Sequence, residues 1–171
     1  MTQRISYWTV APDLLAIQKQ LEHELNNGAV EHGLLDMVRT RVSQINGCAL
    51  CLDLHWREAV KQGIPEEKLR MLEAWRGTPW FTDRERAALE WAEAVTTVQP
   101  AHVPDASYEQ AKAEFSDREL VELTFAITNI NTWNRLGIAF RTKAGTPIPK
   151  GAEPAKAAPE ALLSGEARTA V

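Results

Sequence analysis

The feature that most constrains the fold is a helical period that continues along the chain, almost without interruption, to about residue 143. Helix-start signals divide this stretch, among them Pro12 followed by Asp13, Pro65, and two capping boxes that begin at Thr82 and Ser116. An alternating apolar run bounded by turn residues would predict a strand, and the sequence contains no convincing example. The chain is therefore predicted to be all-α, with six to seven helices near residues 12–28, 31–45, 47–63, 65–76, 82–98, 104–114 and 117–142.

Two segments depart from the amphipathic pattern. Residues 120–140 are apolar or uncharged nearly all round, which is typical of a helix in the centre of the core or at a subunit interface. The stretch from Ala144 onward holds four of the nine prolines and much alanine, so it cannot form a core of its own. We expect one helical domain over residues 1–143, followed by a tail over 144–171 that is flexible or packed on a neighbouring subunit.

Length and charge exclude several classes of function. A chain of 171 residues is long enough for one domain with a sizeable core. A net charge of -4 gives no electrostatic reason to expect nucleic acid as a partner. A membrane span needs a run of about 20 apolar residues, and the sequence contains none. The first residues lack the pattern of a secretory signal. We therefore expect a cytoplasmic protein.

The two cysteines of the chain both lie in the stretch SQINGCALCLDLHWREA, residues 43–59. Asn46-Gly47 is a signal for a helix break, so the cysteines are predicted at the beginning of a new helix. Cys48, Cys51 and His55 are then three and four residues apart and share one helix face. A helix N-terminus favours a thiolate and lowers a thiol pKa from about 8.5 toward neutral. A thiolate, a second thiol and a base predict peroxidase or disulfide-exchange chemistry.

A carboxylate could complete this group by orienting His55. Asp36 lies twelve residues before Cys48, and a straight helix between them would hold the two about 18 Å apart along its axis. The predicted break at Asn46-Gly47 allows the chain to fold back and bring Asp36 beside the new helix. Two other interpretations of the cysteines stay open, namely buried core residues and a metal site. Zinc would need four ligands, and Asp36 could be the fourth.

At these residues the sequence resembles the alkylhydroperoxidase D-like branch of the carboxymuconolactone decarboxylase family. Three stretches carry the resemblance: residues 34–64, 72–96 and 115–141, with the specific combination of INGCxxCxxxH and a later INxWNR. The resemblance implies an all-helical fold that assembles into trimers or hexamers. It also implies reduction of hydroperoxides by the CxxC pair without a metal or organic cofactor, and re-reduction of that pair by a dithiol partner of the lipoyl or thioredoxin type.

The resemblance also implies roles for individual residues. Cys51 matches the cysteine that attacks the peroxide, Cys48 the resolving cysteine, and His55 the histidine that transfers the proton. Asp36 stands where the family has a glutamate, and Leu50 stands where it has a histidine. Family members that decarboxylate a muconolactone lack the CxxC pair, which argues against a lyase activity here.

Other polar residues are predicted to have structural roles. The segment NTWNR places Asn131, Trp133, Asn134 and Arg135 in an otherwise apolar helix, where we expect a hydrogen-bond network or a subunit contact, the alternative being an approach to the cysteines. The remaining histidines are predicted to lie on the surface, namely His23, His32 and His102. Two functions stay open, a CxxC thiol peroxidase or disulfide reductase, and a helical oligomer that senses redox state or binds a metal without turnover.

Overall fold

The computed structural model describes residues 2–99 and 102–146, and within these ranges every regular element is a helix. The all-α prediction is confirmed for this part of the chain. Most of the predicted tail, from residue 147 onward, lies outside the described residues, so the proposed domain boundary stays a prediction. The elements are α1 Tyr7–Val10, α2 Pro12–Asn26, α3 His32–Asn46, α4 Ala49–Lys61, α5 Glu66–Arg70, a 3₁₀ helix Leu72–Gly77, α6 Asp83–Thr96, α7 Asp105–Glu114 and α8 Asp117–Ala139.

Both predicted capping boxes are present. At the start of α6 the Thr82 hydroxyl accepts a hydrogen bond from the Glu85 N–H, and the Glu85 carboxylate accepts one from the Thr82 N–H at 2.8 Å. Ser116 and Glu119 make the same reciprocal pair at the start of α8. Each box satisfies backbone donors that the helix itself leaves unpaired. These local bonds define where the two helices begin.

The structure departs from the predicted helices in two places. The helix predicted over residues 65–76 is divided into α5 and the 3₁₀ helix, and Ala74 has a non-helical backbone with φ −112°. The short helix α1 was not predicted, because four residues are too few to show a helical period. Its place depends on aromatic contacts with distant residues. Tyr7 packs against Phe140, and Trp8 stacks on Trp133 with ring centroids 5.6 Å apart.

The centre of the molecule is α3, which packs against α4, α6 and α8. Its Met37, Val38 and Val42 are fully buried. The apolar helix α8 also lies in the core through residues such as Ile127, while an outward apolar face that includes Phe125 is about half exposed. The contact of α3 with both α4 and α8 places the cysteine segment against the most deeply buried part of the fold.

No helix within residues 2–99 and 102–146 combines the length and the apolar character that crossing a membrane requires.

Candidate active site

A glycine turn places the cysteines at the beginning of α4. Gly47 ends α3 in the left-handed conformation, with φ 72°, which a glycine adopts without strain. The N–H groups of Gly47 and Cys48 donate back to the carbonyl groups of Gln44 and Ser43. The chain then reverses, and Cys48 becomes the N-cap residue of α4. The predicted helix break and restart are therefore present.

Cys48 and Cys51 form a disulfide, with their Cα atoms 5.4 Å apart. Both residues are buried, with exposed fractions of 2% and 5%. The Cys51 N–H lies 3.4 Å from Cys48 Sγ, so the opening turn of α4 directs a backbone donor at a sulfur atom. Unpaired N–H groups at a helix start stabilise negative charge, which is the environment that a thiolate requires.

Glycine 137 allows α8 to pass directly against the disulfide. A Cβ atom at Gly137 would lie 3.1 Å from Cys48 Sγ and 3.9 Å from Cys51 Sγ. The first distance is tighter than an ordinary van der Waals contact, so any larger residue would press on the sulfur atoms. The glycine thus lets α8 close one side of the cysteine pair.

The structure brings His55 and Asp36 together, as the fold-back of the chain allows. His55 Nδ1 lies 3.2 Å from Asp36 Oδ1, and both side chains are buried. A carboxylate only accepts hydrogen bonds, so the proton of the neutral imidazole belongs on Nδ1. This leaves Nε2 without a proton and able to accept one.

Two basic side chains near Asp36 were not identified from the sequence. Arg39 is 2% exposed, and its Nη1 lies 3.3 Å from Asp36 Oδ1. His32 was predicted as an ordinary surface residue, but its Nε2 lies 3.7 Å from Asp36 Oδ2. Both residues are on α3 within one turn of Asp36, a spacing that could have indicated them. His23 and His102 are exposed as predicted.

These neighbours determine the protonation of Asp36. Burial alone would raise its pKa, but the hydrogen bond with His55 and the charge of Arg39 act in the opposite direction and outweigh it. The pKa of Asp36 therefore lies below its ordinary value, and the side chain is a carboxylate at neutral pH.

Cys51 and His55 line the same cavity, which has a volume of about 90 Å³. A single water needs roughly 10–15 Å³ by this kind of measure, so the cavity has space for a small organic molecule. Apolar residues form most of its wall. They include Leu50, which directly precedes Cys51, and Trp8 from the unpredicted helix α1. Lys19 and Glu22 of α2 complete the wall on the polar side.

The NTWNR segment of α8 has mainly a structural role. The Asn134 amide is fully buried, donates to Ser43 Oγ at 3.1 Å and accepts from Asn46 Nδ2 at 2.8 Å. Asn131 accepts a second bond from Asn46. This network ties the end of α3, just before the cysteines, to α8. Trp133 differs from the asparagines because it lines the cavity of Cys51.

Replacing Asn134 by alanine should lower the free energy of unfolding by about 2–3 kcal/mol, because the change leaves buried polar partners unpaired and opens a cavity. Chemical denaturation monitored by circular dichroism measures this. Thr132→Ala is the matched control, since Thr132 is exposed on the same helix and should change stability by less than about 0.5 kcal/mol. Equal effects of the two substitutions would contradict a role for the asparagine network.

Among residues 2–99 and 102–146, no group of three or more histidine, cysteine, aspartate or glutamate side chains has a geometry that could hold a metal ion. The two sulfur atoms that a zinc site would have used are bonded to each other.

The sequence profile of the carboxymuconolactone decarboxylase family matches residues 12–94. The uncharacterized protein YdfG of Bacillus subtilis is 34% identical over 146 residues, which cover 85% of this chain and 99% of that protein. A crystal structure from Agrobacterium tumefaciens is 36% identical, with a TM-score of 0.81, and covers 86% of this chain and 100% of the other. That protein is of unknown function and has been assigned provisionally to antioxidant defence as AhpD.

A more distant structure shows the same fold with another chemistry. The debrominase Bmp8 superimposes with a TM-score of 0.71 at 20% identity, covering 79% of this chain and 73% of Bmp8. At this identity the similarity establishes the fold alone. From the matches to the profile, to YdfG and to the Agrobacterium structure, the chain belongs to the carboxymuconolactone decarboxylase family, in its alkylhydroperoxidase D-like branch.

Proposed function

We propose that the protein reduces hydroperoxides through the Cys48–Cys51 pair. One observation carries this proposal: Cys51 opens into the same small, mainly apolar cavity as His55, and the imidazole is oriented there by a buried carboxylate. The cavity suits a hydroperoxide with a short apolar group. The provisional assignment of the Agrobacterium relative to antioxidant defence agrees with this activity.

In the oxidative step, His55 Nε2 accepts the proton of the Cys51 thiol. The resulting thiolate attacks the outer oxygen of the hydroperoxide, the O–O bond breaks, and an alkoxide leaves. The imidazolium returns its proton to the alkoxide, so the products are an alcohol and a sulfenic acid on Cys51. Asp36 keeps the Nδ1 proton in place and stabilises the imidazolium between the two transfers.

In the resolving step, the Cys48 sulfur attacks the sulfenic acid of Cys51. The S–O bond breaks, water leaves, and the disulfide of the described structure forms. A dithiol partner of the lipoyl or thioredoxin type then reduces the disulfide, and its own two thiols become a disulfide. The family resemblance is the support for this class of partner. The reaction as proposed requires no metal or organic cofactor.

A redox sensor is the second candidate, and the burial of both sulfur atoms favours it. A sensor would undergo the same oxidation, but at a rate too low for defence against peroxides. The number of turnovers per minute with an added reductant distinguishes the two candidates, since a sensor would react about once and stop.

We also propose that the protein is a homo-oligomer, a trimer or hexamer as the family resemblance implies. Support comes from the exposed apolar face of α8, where Val121 is 53% and Phe125 is 52% exposed. Exposed apolar patches commonly mark interfaces between proteins. A cytoplasmic location remains a proposal.

The direct test mixes the reduced protein with tert-butyl hydroperoxide, whose apolar group is short, in a stopped-flow instrument. We expect about one equivalent of peroxide to be consumed per chain without an added reductant, and the intact mass to fall by two hydrogens. Dithiothreitol should restore the original mass. Protein alkylated with N-ethylmaleimide is the control and should consume none. No consumption by the reduced protein would refute the peroxidase proposal.

A further inference from the structure

The two cysteines of the disulfide line different cavities. Cys51 lines the mainly apolar cavity that it shares with His55. Cys48 lines a second cavity, a groove of about 580 Å³ between the start of α4 and the end of α8. No residue lines both cavities. The oxidant and the reductant therefore have separate routes to the same bond.

The groove at Cys48 is strongly basic. Arg4, Arg141 and Lys143 line it, and none of its lining residues within 2–99 and 102–146 is an aspartate or glutamate. None of these three side chains forms an ion pair with a carboxylate among the described residues. In a cleft of this kind, uncompensated charges of one sign raise the local concentration of ligands of opposite sign. The groove is thus suited to a negatively charged molecule.

Cys48 is almost completely covered, although it lines the groove. Cys48 is 2% exposed, and the backbone of α8 at Gly137 passes next to it. A flat protein surface could not reach this sulfur without moving the surrounding chain, whereas a slender thiol could enter the groove. We propose that the groove lined by Arg4, Arg141 and Lys143 admits a small anionic thiol, which reduces the disulfide by attack on Cys48. This inference rests on the proposed function, and it names a small anionic thiol as the reductant in place of the dithiol partner that the family resemblance implies.

The thiolate of the reductant attacks Cys48 Sγ, the Cys48–Cys51 bond breaks, and its electron pair remains on Cys51 Sγ. Cys51 is the better placed leaving group, because it shares its cavity with His55, whose imidazole can transfer a proton to it. A second thiolate then attacks the reductant sulfur of the mixed disulfide and releases Cys48. Two thiols become one external disulfide, and both cysteines end reduced.

Three small thiols of nearly equal size test this proposal: mercaptoethanesulfonate, mercaptoethanol and cysteamine, whose thiolate forms differ in net charge by one unit at each step. Their rates of disulfide reduction, expressed per thiolate, should fall in that order. We expect a total spread of about tenfold or more at low ionic strength, which collapses in about 0.5 M salt. Equal rates, or the reverse order, would overturn the proposal.

Charge-neutralising variants test whether the groove causes the difference in reduction rate between the three thiols. Arg141→Gln combined with Lys143→Gln should remove most of the spread between the three thiols. The matched control is Lys61→Gln combined with Arg70→Gln, which removes the same two charges from exposed positions elsewhere and should leave the spread unchanged. A spread that persists in the groove variant, or that disappears in the control, would contradict recognition by the groove.

The attacked sulfur can be identified directly. Acid quenching of the reaction with mercaptoethanesulfonate, followed by alkylation and fragment mass spectrometry, should place the mixed disulfide on Cys48 and the alkyl group on Cys51. The opposite placement would overturn the proposal. All of these measurements begin with oxidised protein and use no peroxide, so their failure is distinguishable from a failure of the peroxidase assay.

Discussion

Replacing Cys51 by serine should lower the rate of hydroperoxide consumption by about a thousandfold or more, equivalent to about 4 kcal/mol of transition-state stabilisation. Cys48→Ser should behave differently. It should retain the first oxidation at nearly the normal rate and stop there, with a sulfenic acid on Cys51. Stopped-flow measurement of the first turnover, together with trapping of the sulfenic acid by dimedone, compares the two variants.

The reason for this asymmetry is the position of each sulfur. The opening turn of α4 does not by itself select Cys51, because a backbone N–H is directed at Cys48 Sγ. The cavity makes the selection, since Cys51 shares it with His55 while Cys48 opens onto the basic groove. Serine differs from cysteine by one atom, so a thermal unfolding curve for each reduced variant is a sufficient control of folding. If Cys48→Ser eliminates the first turnover and Cys51→Ser retains it, the two roles are reversed.

Local signals in the sequence were sufficient to predict α3, α4, α6 and α8. The capping residues Thr82 and Ser116 define helix starts through bonds to residues only three positions away. The end of α3 at Gly47 can be explained locally as well, because the backbone needs a positive φ there for α3 to end and α4 to begin. Such features depend on neighbours along the chain, and a single sequence contains them.

The wall of the cavity could not be predicted in the same way. Trp8 belongs to a helix of four residues whose position depends on Trp133, which is far away in the sequence. Arg39 is an instructive case, since a single sequence cannot distinguish a buried arginine on an amphipathic helix from one that extends into solvent. Its burial beside Asp36 became visible only when the packing of α3 between α4 and α8 was known.

Replacing Asp36 by asparagine should reduce both activity and stability. Asparagine presents no full charge to Arg39, which is then a buried cation without a counter-ion, and breaking such a pair costs about 3–5 kcal/mol. The amide can also donate a hydrogen bond to His55 Nδ1 and thereby favour the tautomer with the proton on Nε2. That tautomer cannot accept the thiol proton, so we expect the rate of peroxide reduction to fall about a hundredfold or more.

A second substitution separates these two effects. Arg39→Met in the Asp36→Asn background removes the uncompensated charge while conserving much of the side-chain length. Well-packed apolar replacements of buried ion pairs are often neutral or stabilising, so most of the lost stability should return. The activity should not return, because His55 still lacks its carboxylate. Recovery of activity together with stability would show that Asp36 has only a structural role.

The pH dependence of stability and of the reaction rate also tests whether Asp36 is a positioning residue. Its pKa in the folded protein lies below the ordinary value of about 3.9, so its contribution to stability is complete above that value and is lost as the pH falls through the folded pKa. The difference in the free energy of unfolding between the native protein and Asp36→Asn should therefore be largest near neutral pH and become smaller below about pH 4. Without the carboxylate the imidazolium is less stabilised, so the neutral imidazole that accepts the thiol proton forms at lower pH. The rising limb of the rate against pH should therefore move to lower pH in Asp36→Asn and in the double variant. A purely structural residue would not shift that limb, and an unchanged pH profile in the stable double variant would refute the proposed link from Asp36 through His55 to Cys51.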